Sequence, residues 1–248
     1  MSQPVIETPP EVYGLITEDD EPVDNLPSEK QQRLLTEPLY SSWAGPGEER
    51  PFLALANVGL FYQLRQPALV PDVMLSMDVQ APEDVWAKEG RSYFIWEYGK
   101  PPEVVVEVVS NTEGEEAGRK MALYARIRVT YYAIYDPETQ IQPTPLRLFV
   151  LRDGAYQPLE EGWLAEVGLG LTLWEGTFEG IAETWLRWCD QQGLLLPTGA
   201  ERAEQEAQRA EQERQRAEQE KQRADTAEQE LARLRARLRE LGIETTEG

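Results

Sequence analysis

Apolar residues follow three regimes along this chain. Residues 1–24 are rich in Pro, Glu and Asp and carry no apolar period, the composition of a flexible arm. Residues 28–199 alternate short apolar runs with turn residues, the pattern of a folded domain. From residue 200 the apolar positions thin to one or two in seven. The resulting division is an acidic arm over 1–27, a globular domain over 28–199 and a helical tail over 200–248.

Within the domain, "PSEKQQRLLTEPLYSSW" predicts a helix, with Ser28 as N-cap, Gln31 three residues later as in a capping box, and Leu34 and Leu35 on its apolar face. "FLALANVGLFY" and "LVPDVMLSMDV" predict strands, the second entered through Pro71. "RSYFIWEYGKPP" is an aromatic segment ending in a turn. "EVVVEVVS" is the strongest strand signal, short and β-branched. "EEAGRKMALYARI" predicts a helix with Ala117, Met121, Tyr124 and Ala125 at helical spacing, and "VTYYAIYDP" another strand. "LRLFVLRDGAYQPL" reads as a hairpin about Asp153-Gly154, and "EGIAETWLRWC" as a short amphipathic helix with a Trp-rich face.

The tail repeats every seven residues: "RAEQEAQ", "RAEQERQ" and "RAEQEKQ" begin at Arg202, Arg209 and Arg216. Ala203, Ala210, Ala217, Ala224, Leu231 and Leu238 share one heptad position, and Glu206, Glu213, Glu220, Ala227, Leu234 and Leu241 share the second. Only the last two heptads form a leucine seam. A solvated single helix ended by Gly242 and a short coiled coil that joins subunits or recruits a protein partner fit this pattern equally.

Composition narrows the chemistry. The 248 residues include one cysteine, Cys189, and no histidine. An intramolecular disulfide, a Cys-rich or His-ligated zinc site, and Ser-His-Asp or Cys-His catalysis are therefore excluded. Acid–base work falls to Asp, Glu, Lys or Tyr, and any metal is a hard one held by oxygen, magnesium or manganese. Zinc, haem and a nucleotide cofactor are not expected. No run of eighteen apolar residues and no signal-like start appears, so the expected location is the cytoplasm, without a membrane partner. The formal charge is −21, and residues 1–199 hold most of it, 14 basic against 32 acidic side chains. Such a surface disfavours loose binding to phosphate backbones but leaves room for a local groove or a dimer cleft.

One residue breaks the strongest strand: Glu107 interrupts the apolar run Val104–Val109. A strand buried on both faces should be apolar throughout, and an ionised Glu there is costly unless a positive charge compensates it. Asp72 stands at the mouth of a preceding strand, and Lys120 lies on the following helix, four residues after Glu116. Two carboxylates able to hold a divalent cation, with a lysine beside them, are what metal-dependent phosphodiester hydrolysis requires. Each residue alone has a plainer reading: Asp72 caps a turn, Glu107 faces solvent by alternation, Lys120 pairs with Glu116.

"PDV", "PPEVVVEVVSNTEGEEAGRK" and the "YYAIYDP" strand together resemble the Uma2 family of restriction-endonuclease-like proteins, the domain of unknown function 820, abundant in cyanobacteria. The resemblance covers roughly residues 28–197. It implies an α/β fold with the restriction-endonuclease-like core of the PD-(D/E)XK superfamily, a central mixed sheet flanked by helices. Asp72 then matches the first acid and Glu107 the second. Val109 occupies the usual lysine position, and the lysine is placed instead at Lys120, with Glu116 four before it. Glu29 resembles the extra helical acid of many such nucleases, and the backbone carbonyl of Val108 the third metal ligand. The implied activity is magnesium- or manganese-dependent cleavage of DNA by a homodimer. A nuclease fold that has lost activity and serves as a binding scaffold is the competing reading.

Overall fold

The computed structural model describes residues 25–47, 50–110 and 116–240. The expected flexible arm over 1–24 and the end of the tail at Leu241 and Gly242 lie outside these residues, as does the side chain of Glu116. One compact unit runs through Thr198, and a second begins at Gly199.

The first helix, α1 (Leu26–Ser41), is capped by Asn25 rather than Ser28: the Asn25 side chain accepts from the Ser28 backbone N–H, and Pro27 occupies the first turn. Gln31 does not close a capping box either. Its side chain is buried and exchanges two hydrogen bonds with the backbone of Leu186, donating at 2.8 Å and accepting at 3.0 Å. Leu35 and Leu39 enter the core, and the Leu35 carbonyl accepts from the Trp188 indole.

The central sheet has six strands in the order β1 (Phe52–Ala56), β3 (Val73–Met77), β5 (Val104–Val108), β6 (Tyr131–Tyr135), β7 (Leu146–Arg152) and β8 (Ala155–Pro158). It is mixed: β5 and β6 are parallel, and every other pair is antiparallel. The predicted "FLALANVGLFY" strand is split at Asn57, whose φ of 52° turns the chain, and its second part, β2 (Leu60–Phe61), pairs with β4 (Tyr93–Phe94). The β7–β8 hairpin turns at Asp153-Gly154 with φ of 51° and 80°, the left-handed pair that a two-residue hairpin needs.

Strands β3, β5 and β6 are buried on both faces, which is why they read as continuous apolar runs. On one face Val73, Leu75, Val104, Val106 and Ala133 pack against α1 and against a three-stranded sheet formed by β9 (Trp163–Leu164), β10 (Leu169–Phe178) and β11 (Ile181–Cys189). Strand β11 is the segment predicted as a Trp-rich helix. Ile181, Trp185 and Trp188 mimic helical spacing, but the chain folds back on β10 through Glu179-Gly180, with φ of 45° and 84°. On the other face Met74, Val105, Tyr132 and Ile134 pack against Leu60, Tyr93 and the crossover between β5 and β6. That crossover is a π-helical turn (Glu116–Lys120) running into α3 (Met121–Arg126), preceded by the short α2 (Ile95–Tyr98) earlier in the chain. Parallel neighbours need such a connection, and here it carries Lys120 and Tyr124 over the end of β5.

The second unit is a single helix, α4 (Gly199–Glu240), 42 residues long and exposed along nearly its whole length. Leu231 and Leu234 of its seam are 48 % and 62 % exposed. No described helix is long and apolar enough to cross a membrane.

Candidate active site

Antiparallel pairing of β3 with β5 sets Val73 opposite Val106, so the start of β3 and the end of β5 meet at one end of the sheet. Side chains two apart on a strand share a face. Asp72 therefore lies on the face of Met74, and Glu107 on the face of Val105 and Val109, both covered by the crossover. Alternation does not take Glu107 to solvent: it is 1 % exposed.

Four hydrogen bonds fix the two carboxylates. Asp72 Oδ2 accepts from the Val108 backbone N–H at 2.7 Å, and Oδ1 accepts from Gln32 Nε2 at 2.8 Å. Glu107 Oε2 accepts from Lys120 Nζ at 2.9 Å, and Oε1 from the Tyr124 hydroxyl at 2.7 Å. Lys120 has helical backbone angles, φ −59° and ψ −49°, so residues 120 and 124 project from one helix face onto the two oxygens of one carboxylate. The Lys120 side chain is 29 % exposed against 1 % for Glu107, so the ammonium sits at the mouth of the site with Glu107 at its floor. The Val108 N–H points toward the mouth of β3, and its carbonyl lies along the same strand edge, since both groups of a strand residue face one side.

The electrostatics follow from burial. Desolvation, aided by the neighbouring Asp72 charge and opposed by Lys120 and the Tyr124 hydroxyl, pushes the Glu107 carboxyl up to about 8. Burial also raises Asp72, opposed by the hydrogen bonds from Val108 and Gln32, by the Lys120 charge and by a hydrogen bond from Glu107. Two adjacent carboxyls with one neighbouring ammonium thus favour holding one proton between them. The unmet demand for positive charge, with an all-oxygen donor set of Asp72, Glu107 and the Val108 carbonyl, suits a hard divalent cation. Among the described residues no third acid joins the pair.

The structure brings Asp72, Glu107, Lys120 and Val108 together, but not Glu29. That side chain pairs with Arg33 and with Lys30 at 3.8 Å, beside Glu179 at the β10–β11 tip. One turn further along α1, Gln32 takes the helical position at the site. Its own Oε1 accepts from Asn57 Nδ2 at 3.0 Å, which fixes the amide so that its N–H groups face Asp72. Gln32, Asn57 and Tyr124 were not singled out as functional from the sequence. The four-residue spacing of Lys120 and Tyr124 was the available signal for the tyrosine.

The family model described as "Uma2: Putative restriction endonuclease" matches residues 17–179. The chain belongs to the Uma2 family. No curated protein matches it. The match spans about two thirds of the chain and ends at the turn between β10 and β11. The Uma2 region therefore contains the whole six-stranded sheet and every side chain of the candidate site. Strand β11, which follows the matched region, still supplies Leu186 and Trp188 to the core. The nuclease-like character of the chain rests on this membership together with the mixed α/β fold.

Proposed function

We propose that the chain is a metal-dependent endonuclease that hydrolyses phosphodiester bonds of nucleic acid, with DNA as the substrate. The observation that supports this most is the carboxylate pair of half-buried Asp72 and buried Glu107, with Nζ of the partly exposed Lys120 2.9 Å from Glu107. A buried acid pair is expensive, and a purely structural role has no use for it. Asp72, Glu107 and the Val108 carbonyl would hold magnesium or manganese. When bound, the cation would neutralise charge on the phosphate and acidify a water. Val108 N–H and Gln32 keep Asp72 oriented, and Tyr124 does so for Glu107. Lys120, the one cation within reach of the pair that also reaches solvent among the residues described above, would orient the attacking water or stabilise the developing phosphorane charge.

A second reading, an inactive or partner-dependent dimer that acts as a scaffold, is favoured by two features. The Glu107–Lys120 ion pair already compensates the buried acid in part, and the acidic domain has little charge to attract DNA. Either way we read the assembly as a cytoplasmic homodimer formed mainly through the domain, with the α4 seam available to a protein partner.

The test is nicking of supercoiled plasmid at low salt across magnesium, manganese and calcium, with Asp72→Ala, Glu107→Gln and Lys120→Ala alongside, paired with calorimetric ion binding. Metal-dependent nicking lost in all three variants is the expected outcome. No nicking of DNA or RNA and no divalent-ion binding by the wild type would leave the scaffold.

A further inference from the structure

The Glu107 carboxylate offers its two oxygens to different surroundings. Oε1 faces inward to the hydroxyl of Tyr124, which is fully buried and whose ring tilts against Tyr132 at 5.2 Å between centroids. Oε2 faces the half-open side, where Lys120 reaches solvent. The phenol is held by the α3 backbone and by an aromatic neighbour, so it cannot swing away without opening the core. Burial and the Glu107 charge keep it protonated and therefore a donor.

Resting on the nuclease reading above, we propose that Tyr124 is a positioning residue that holds Oε1, so that a cation takes Oε2, the oxygen from which the half-exposed Lys120 can withdraw, and that this selects magnesium and manganese over calcium. Magnesium takes one oxygen per ligand in a strict octahedron, whereas calcium accepts six to eight oxygens and readily uses both from one carboxylate. Ligation through both oxygens would set the cation in competition with the Tyr124 hydroxyl for Oε1 and weaken a buried hydrogen bond, a cost that falls on calcium and spares magnesium. Tyr124→Phe removes that cost while keeping the ring.

The experiment is calorimetric titration of the full chain with magnesium, manganese and calcium separately, for wild type, Tyr124→Phe and Tyr132→Phe. The Tyr132 variant deletes the same atom from the same core and controls for general loosening. The calcium-to-magnesium affinity ratio should rise about tenfold in Tyr124→Phe, the usual scale for loss of a group that orients a ligand, and stay at the wild-type value in Tyr132→Phe. A ratio unchanged in Tyr124→Phe, or raised equally in both variants, overturns the assignment while leaving the nuclease reading intact. If wild type binds none of the three ions, the nuclease reading itself falls, and this inference with it. Should Tyr124→Phe not fold, wild type labelled with 13Cζ-tyrosine decides the matter. The exchange-protected hydroxyl proton that shows a nuclear Overhauser contact to the Tyr132 ring should persist in the magnesium complex. Its disappearance there overturns the proposal.

Discussion

At the scale of single residues, the Asp72–Glu107 pair links the proposed chemistry to stability. Glu107 carries its proton up to about pH 8 when folded, against an ordinary Glu value of 4.5. A folded-state pKa raised above the unfolded one means that the folded chain binds more protons between these limits. Its contribution to stability is full below about pH 4.5 and is lost as pH rises through about 8. The metal-free chain should therefore lose thermal stability across this window, and Glu107→Gln should flatten the slope in a melting series from pH 5 to 8.5. Magnesium should restore the wild type at the alkaline end and leave the variant unmoved. Asp72, Glu107 and Lys120 were legible in the sequence because a charged residue in an apolar strand is anomalous and its partners stand at strand and helix starts. Tyr124 and Gln32 were not. A tyrosine at helical spacing looks like core, and a glutamine on α1 looks like surface, until tertiary contacts show which atoms they meet. Glu29 matches the extra helical acid by resemblance alone, and its side chain turns instead to Arg33.

At the scale of elements, local pattern sufficed wherever burial was two-sided or a turn was unambiguous. Strands β5 and β6 and the Asp153-Gly154 hairpin are of this kind. It failed where an edge element borrows partners from far away. Strand β11 has bulky residues at positions 181, 185 and 188 that satisfy a helical period, and only its nine-pair register with β10 decides against it. Its buried backbone at Leu186 is completed by a side chain, Gln31, across 155 residues of sequence. Gln31→Ala leaves a buried N–H and carbonyl without that partner, and should cost about 2–4 kcal/mol in denaturant unfolding. The β1 edge of the six-stranded sheet uses a similar device. The outward N–H and carbonyl of Ala54 on β1 both meet the Tyr40 hydroxyl, at 2.8 and 3.2 Å, while the Tyr40 ring stacks on Phe52. An uncovered edge strand invites pairing with another chain. Tyr40→Phe keeps the stacking and removes the cover. It should lower stability by about 1 kcal/mol and raise concentration-dependent light scattering.

At the scale of the whole molecule, the chain joins an acidic domain to a long, polar helix, and the proposed homodimer assigns them different parts in assembly. The early heptads of α4 place Glu206, Glu213 and Glu220 at a seam position, and its leucines begin only at Leu231. A seam of that length stabilises little by itself. Removal of residues 200–248 should thus leave the proposed dimer intact in sedimentation equilibrium, whereas a monomer would assign assembly to the tail. Leu231→Lys with Leu234→Lys in the full chain separates the two more gently, and should leave the sedimentation of the dimer unchanged.

The lack of histidine gives the buried pair one more property. Imidazole is the side chain that ordinarily takes up and releases protons between pH 5 and 8, and this chain contains none. The thiol of Cys189 is pushed up from 9 by burial, away from that interval. Apart from the α-amino group, which wild type and variant share, the side chains therefore leave a quiet acid–base background on which the proton of Glu107 is counted by difference. Potentiometric titration against Glu107→Gln should show a difference of one equivalent centred near pH 8, and a calorimetric heat of ion uptake at pH 7 should vary with the ionisation enthalpy of the buffer as that equivalent is expelled.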